Sequence, residues 1–358
     1  MYYNSEMASN SFRVSNRFIG EDSPPFVIAE MSGNHMGSLE RARRIVEAVA
    51  KSGAQAIKLQ TYTADTMTID LKEREFYIDD INSLWNGRTL YDLYAEAHTP
   101  WEWHKELFEY SRSLGLIPFS TPFDSTAVDF LEELNVDLYK IASFENTDLD
   151  LIHQVASTGK PLIISTGMAS VSEISDAVSI ARSAGCKDLI LLKCTSAYPA
   201  SPDDVNLMTI PHMRTLFDCQ VGLSDHTLGI GVAVASIAMG ATVIEKHVTL
   251  DRNDGAVDSA FSLEPDDLEN LVREVGIAHR SLGEIRYGST ERENLSSSHR
   301  RSLYIVEDLR KGETIELRHL RAIRPGLGLP VKFRSVFIGK RVNRDVSRGT
   351  PATWDILG

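Results

Sequence analysis

The chain has 358 residues, 42 % hydrophobic and 24 % charged, with a formal net charge of −13. This is the make-up of a globular chain with a large core, and its acidity argues against nucleic acid as the main partner. The length exceeds the roughly 250 residues of one βα barrel, so a second, smaller domain is expected.

The first 25 residues are polar and lack the apolar stretch and small-residue cleavage site of a secretory leader. From residue 26 onward, short β-branched runs alternate with helical periods. Strands are predicted over 26–31, 56–60, 117–121, 138–143, 161–166, 189–195, 220–225 and 242–248. Helices are predicted over 39–52, 101–114, 125–134, 149–157, 172–184, 204–216, 229–238 and 265–282. Eight strand–helix pairs define an α/β chain closed as a (β/α)8 TIM barrel rather than an open doubly wound sheet. No G-x-G-x-x-G follows the first strand, which counts against a dinucleotide site. The longest apolar run, 230–244, is shorter than the roughly 18–20 residues of a membrane span and divides at Gly240.

Two segments depart from a minimal barrel. Residues 61–100 are too long for an ordinary βα loop and carry Trp85, Tyr91, Tyr94 and His98, enough to fold over a ligand or a neighbouring subunit. Residues 284–301 are polar and read as a linker, so the barrel domain is placed at 1–283 (with an N-terminal extension, 1–25) and a compact mostly-β module at 302–358. That module carries 11 Lys and Arg against 6 Asp and Glu, so a basic tail follows an acidic body. That split allows the tail of one protomer to dock on the body of another. Cys186, Cys194 and Cys219 form no CxxC pair and read as buried thiols of a reducing, cytoplasmic compartment.

The chemistry lies at the strand ends. Lone ionisable residues stand there: Glu30, Lys58, Lys140, His226 and His247. A charge inside a strand is costly unless something binds it, and the carboxyl ends of barrel strands are where active sites are built. Side chains alternate along a strand, so Lys58 shares a face with Gln60, Ser224 with His226, and Glu245 with His247. Lys246 falls on the opposite face and must snorkel or pair. His226 and His247 end consecutive strands; two imidazoles there suit a divalent cation, though hydrogen bonding within the core is equally compatible with the spacing. His35 follows the first strand and fits either the mouth or a loop role; the other seven histidines read as solvated. Lys58 and Lys140 suit an anion, a Schiff base, or structural pairing with Glu30 and Glu145. Ser143, Ser165, Ser196 and Ser224 add hydroxyls at strand ends, a set that favours an anionic substrate. In the tail, Arg324 precedes Pro325-Gly326 on a turn.

These residues, in the motifs IAEMSGNHMG, AIKLQTYT, FSTPFD, YKIASFE, ISTGMAS, LLKCTSAYP, VGLSDHT, VIEKHVT and IRPG, resemble the sialic acid synthase family. That resemblance covers nearly the whole chain from about residue 17, including a C-terminal antifreeze-like (SAF) domain. It implies condensation of phosphoenolpyruvate with an acylamino sugar. The segments TYTADTMTID, PWEWHKELF, YKIASFEN and DSAFSLEP look most like the pseudaminic acid synthases, which use 2,4-diacetamido-2,4,6-trideoxy-L-altrose; N-acetylneuraminate and legionaminic acid synthases are the alternatives. It further implies that His226 and His247 hold a divalent metal (manganese or magnesium), and that Lys58, Thr121, Lys140, Ser143, Ser165, Ser196 and Ser224 bind phosphoenolpyruvate. Glu30, Gln60, Glu145, Tyr198 and Asp258 would contact the sugar or move protons. Arg324 would reach the sugar's acyl group from a partner subunit, since the family forms domain-swapped homodimers. Ser196 stands where the family usually has Asn, Met36 where NHNG has Asn, and Phe144-Glu145-Asn146 where an SGE-type turn is common. From the residues alone, a Schiff-base aldolase using Lys140 or Lys193 and a non-enzymatic carbohydrate-binding protein remain the rivals.

Overall fold

The polar extension expected ahead of the barrel contains two short strands. In the computed structural model, which describes residues 11–81 and 83–358, β1 (Phe12–Val14) and β2 (Arg17–Ile19) pair as an antiparallel hairpin. Residues 1–10 of the expected extension, and with them part of the leader reading, lie outside the described residues. Eight parallel strands follow: β3 (Phe26–Glu30), β4 (Ala56–Thr61), β5 (Ile117–Pro122), β6 (Tyr139–Ile141), β7 (Leu162–Ser165), β8 (Leu189–Cys194), β9 (Gln220–Asp225) and β10 (Val243–His247). They close in sequence order, β10 pairing with β3, as a complete barrel. Closure leaves no sheet edge among these eight strands.

Between them run α1 (Leu39–Ser52), α2 (Ala64–Met67), α3 (Leu90–Ala97), α4 (Trp101–Ser113), α5 (Ser125–Glu133), α6 (Leu149–Ser157), α7 (Val171–Ser183), α8 (Thr209–Phe217), α9 (Gly231–Ala238) and α10 (Pro265–Leu282). Side-chain caps start several of them: Ser38 accepts from Arg41 N, Asp148 from Leu151 N, and Ser170 with Glu173 forms a capping box on α7. Gly53 ends α1 at φ 82°, a left-handed cap that a side chain would strain. The helix expected over 204–216 starts later, at Thr209. Asn206 takes a left-handed φ of 53°, which separates α8 from the single turn Pro202–Asp204.

Alternation along the strands sorts the core into two layers. Val27, Ala29, Ile57, Leu59, Ile141, Leu191, Leu223 and Ile244 pack outward with helix residues such as Ile45, Val46, Leu107 and Leu271. Phe26, Ile28, Ala56, Phe119, Ile163, Ile190 and Val243 face inward and are joined by Val14 and Ile19 of the hairpin. The hairpin therefore closes the amino-terminal floor of the barrel.

Contacts divide the chain after Gly283, and Glu284–Gly358 forms a second unit. Within it, the segment expected as a linker holds α11 (Glu291–Asn294), started by a Thr290–Glu293 capping box, and is exposed along its length. β11 (Ser302–Ile305) pairs antiparallel with β12 (Leu320–Ile323), followed by α12 (Arg334–Phe337). Leu303, Ile305, Leu309, Ile315, Phe337, Val342 and Ile356 form this unit's own core. No described helix is long and apolar enough to cross a membrane.

Candidate active site

Strand register assembles the site. His247 is the Cα partner of Glu30, and Glu30 of Lys58, so three ionisable residues stand side by side at the carboxyl ends of β10, β3 and β4. Glu245 and Ser224 are partners on β10 and β9, two residues nearer the floor than His247. All share the inward parity of Ile28, Ala56 and Val243, and Glu30, Lys58, Lys140, Ser224, His226, Glu245 and His247 are buried.

Their charges are balanced. Lys58 Nζ forms an ion pair with Glu30 and lies 3.7 Å from Glu245 Oε1, while donating to Thr121 Oγ1 at 3.0 Å. Lys140 Nζ lies 3.5 Å from the same Glu245 oxygen, which also accepts from Ser224 Oγ at 3.4 Å. Two ammonium groups thus face two carboxylates out of water, where an unmatched charge is not tolerated. Burial raises the Glu30 carboxyl despite the attraction of Lys58. For Glu245, burial is outweighed by Lys140 and Lys58, and its carboxyl is held below the usual range. One carboxyl is fixed as the anion and its neighbour is poised to exchange a proton, the usual division of labour in an acid–base pair. Burial lowers Lys140, whereas for Lys58 the carboxylates Glu245 and Glu30 outweigh burial and raise it.

The two imidazoles meet with ring centroids 5.3 Å apart. His226 Nδ1 lies 2.9 Å from the Thr195 carbonyl, to which it donates, leaving Nε2 as the lone-pair nitrogen. His247 Nδ1 is buried without a hydrogen-bond partner and lies 3.7 Å from Asp258 Oδ2. Burial drives His247 well below the ordinary histidine range and keeps it neutral. An orphaned nitrogen beside a second lone-pair nitrogen is a donor set that fits a divalent cation. Among the described residues no three His, Cys, Asp or Glu side chains form a complete cage, so ligand or water oxygens would fill the other positions.

Hydroxyls follow the ends of β6, β7 and β8. Ser196 Oγ donates to Ser143 Oγ at 2.8 Å, and Ser165 Oγ is buried without a partner. Gly167, at φ 50°, sits so close that a Cβ there would come within 2.6 Å of Ser143 Cβ. Asn146 fixes this loop by donating to the carbonyls of Ser165 and Thr166 at 3.1 and 2.8 Å. Two residues beyond Lys58 on β4, Gln60 pairs in register with Thr121 on β5, and after β6 burial pushes the Glu145 carboxyl up to about 7 against the pull of Lys140. Tyr198 packs on His226 at 4.5 Å and on Phe261 at 5.3 Å. Buried Asp258 accepts from Ser32 Oγ, and Ser32 N donates to Glu30 Oε1 at 2.8 Å. The long 61–100 segment joins this group: Trp85 Nε1 donates to the Val257 carbonyl at 3.0 Å, and its ring lies 5.9 Å from Tyr198. Arg324 belongs to the second unit, where a cis peptide bond links it to Pro325.

Several readings change. Lys140 pairs with Glu245 rather than Glu30 or Glu145. Glu245 was legible only through its shared face with His247, yet it is the carboxylate both lysines use. Lys246 resolves its outward parity by pairing with Asp225, both buried. His35 serves its loop, accepting from Gly37 N at 3.1 Å, and its pKa is lowered by burial to about 4. His104 and His319 are buried, not solvated. His104 bonds Thr61 Oγ1 at 2.8 Å and lies 3.2 Å from the Pro100 carbonyl, so it fastens α4 to β4.

A closed βα barrel with matched buried charges and paired imidazoles at its carboxyl mouth is an enzyme's architecture. The chain belongs to the NeuB family, whose profile matches residues 45–287, and the SAF domain profile matches residues 300–357. It is 40 % identical over 336 residues to the pseudaminic acid synthase of Helicobacter pylori, covering 93 % of this chain and 97 % of that protein. The N,N'-diacetyllegionaminic acid synthase of Legionella pneumophila is 37 % identical over 335 residues, covering 92 % and 94 %. Among solved structures, the N-acetylneuraminic acid synthetase of Leptospira borgpetersenii in complex with citrate is similar with a TM-score of 0.72 and 33 % identity, covering 80 % of this chain and 95 % of that one.

Proposed function

We propose that this chain is a pseudaminic acid synthase: it condenses phosphoenolpyruvate with 2,4-diacetamido-2,4,6-trideoxy-L-altrose, giving pseudaminic acid and inorganic phosphate. The observation that carries the reading is Lys58 and Lys140, both within 3.7 Å of one Glu245 oxygen, in a barrel mouth that also carries the hydroxyls of Ser143, Ser165, Ser196 and Ser224 at its strand ends. Such a pocket matches a ligand bearing both a phosphate and a carboxylate. The 40 % identity to a relative named for this reaction supports the choice of sugar.

In this reading Lys58, Thr121 and Lys140 grip the anionic groups, with Ser143, Ser165, Ser196 and Ser224 supplying hydroxyls around them. Gln60, Glu145, Tyr198 and Asp258 orient the open-chain sugar. The methylene carbon of phosphoenolpyruvate attacks the sugar aldehyde, and water adds to the resulting cationic enol carbon. Glu30, held beside Lys58 and raised by burial, takes the water's proton. The tetrahedral adduct then loses inorganic phosphate by C–O cleavage and closes to the nonulosonic ring. A divalent ion (manganese or magnesium) on His226 and His247 would supply Lewis-acid polarisation of the aldehyde oxygen. Much of the remaining acceleration is orientation by the lysines.

A Schiff-base aldolase needs a neutral lysine. Burial lowers Lys140 against the attraction of Glu245 at 3.5 Å, so borohydride trapping is the test that separates that chemistry from the metal-assisted one. The family's domain-swapped homodimer is part of the proposal. The βα loops expose Met36, Phe144, Met168 and Leu228 around the mouth, apolar surface suited to a cover that includes the partner's Arg324. Three buried, unpaired cysteines support a reducing cytoplasmic location.

Phosphate release tests the reading, with the altrose derivative compared against N-acetylmannosamine and the legionaminic acid precursor. Turnover is expected for the altrose derivative, abolished by chelation and restored by manganese, with no adduct trapped by borohydride. Preference for either other sugar would reassign the substrate; chelator-resistant turnover with a trapped adduct would reassign the chemistry.

A further inference from the structure

Lys246 is the residue the site's chemistry leaves unused. It lies on the outer face of β10, yet its side chain is 0 % exposed and that of its partner Asp225 is 1 % exposed. The two are Cα register partners on β10 and β9, so the next position along each strand is an imidazole, His247 on one and His226 on the other. Lys246 Nζ lies 2.7 Å from Asp225 Oδ2 and donates to the Thr227 carbonyl at 2.5 Å. The other Asp225 oxygen accepts from Thr227 N at 2.9 Å and from Thr227 Oγ1 at 2.8 Å. Both chain neighbours of His226 are therefore held by the chain neighbour of His247. The turn is also tied to β8's loop, where Ala200 N donates to the His226 carbonyl at 3.0 Å.

We propose that Lys246, Asp225 and Thr227 form a cross-brace outside the barrel wall that fixes the separation and orientation of the two imidazoles inside it. They are positioning residues, touching neither substrate nor ion. Stability alone is a poor reason to bury such a pair, because replacing both charges with apolar groups is often neutral or stabilising. Fixing register is the better-attested use of a buried polar contact. An error in ring placement passes directly to anything the two nitrogens hold jointly, and supporting contacts of this kind typically govern metal affinity by 10- to 100-fold.

The inference rests on the proposed metal role of His226 and His247, and the experiment separates the two. Chelator-stripped full-length protein is titrated with Mn2+ while the free aqueous ion is followed by electron paramagnetic resonance. Wild type, the double variant Lys246→Met/Asp225→Leu, and Thr227→Val, which keeps both charges, are compared with circular dichroism and melting recorded alongside. The double variant is expected to fold and to bind Mn2+ roughly 10- to 100-fold more weakly, with lost turnover recovered at saturating ion. Thr227→Val, expected to be about several-fold weaker, keeps the test valid if the double variant does not fold. Binding as tight as wild type in a folded variant overturns the brace; a wild type that binds no Mn2+ overturns the metal reading and the brace with it.

Discussion

Glu30 and Glu245 show how one pocket gives two carboxyls different tasks. Glu245 lies near two ammonium groups and stays ionised, whereas burial raises Glu30 beside only one of them. Glu30→Gln is therefore expected to lower kcat by roughly 10²- to 10⁴-fold, with the KM for phosphoenolpyruvate nearly unchanged. Steady-state kinetics checks this, and unaltered turnover would remove Glu30 from proton transfer. Glu145 carries a stability signature. Its carboxyl sits at about 7 in the fold, above the roughly 4.3 of an unfolded chain. The folded state then binds more protons between those values, so this contribution is fully present below about pH 4 and lost as pH rises through 7. Relative to Glu145→Gln, wild type should lose up to about 4 kcal/mol between acidic and alkaline buffer, measured by urea denaturation at several pH values.

At the scale of elements, period-two patterning made the barrel readable. Each of the eight expected strands is present, because short apolar runs such as those at Ala56–Thr61 and Leu189–Cys194 are bounded by helix caps and glycines. The same parity put Lys58, His226 and His247 on the inner face. Partner choice was not legible, since Lys140 reaches Glu245 only through the barrel's closure and stagger. The β1–β2 hairpin was hidden for another reason: Phe12–Val14 and Arg17–Ile19 are three residues each, too short for alternation to stand out in a polar stretch. The 61–100 segment announced itself by length, but its anchor, Trp85 on the Val257 carbonyl, is a tertiary contact 172 residues away in sequence. Trp85→Ala is expected to raise the KM for the sugar by roughly three- to tenfold while sparing that for phosphoenolpyruvate, as judged by initial rates with each substrate varied. Equal changes in both would place Trp85 in general stability instead.

For the whole molecule, the acidic body and basic SAF unit frame a prediction about assembly. If each site joins one protomer's barrel to the other's tail, mixing inactive Glu30→Gln with inactive Arg324→Ala subunits leaves one intact site in every mixed dimer. Unfolding and refolding the two together should then restore about a quarter of wild-type activity. No recovery, with mixed dimers verified by mass, would mean that each tail serves its own barrel.

The hairpin packs Val14 and Ile19 beneath an interior already filled by Phe26, Ile28, Phe119 and Ile163, and together they leave the vessel a cul-de-sac. Traffic has one doorway, at the carboxyl rim, and nothing can slip out past the plug. Whichever reactant lodges deeper must arrive first, and whatever remains beneath the other product must depart last. Queueing of this sort is expected to make the kinetics sequential and ordered, which product-inhibition patterns would check, a property set by an apolar floor rather than by any group that does chemistry.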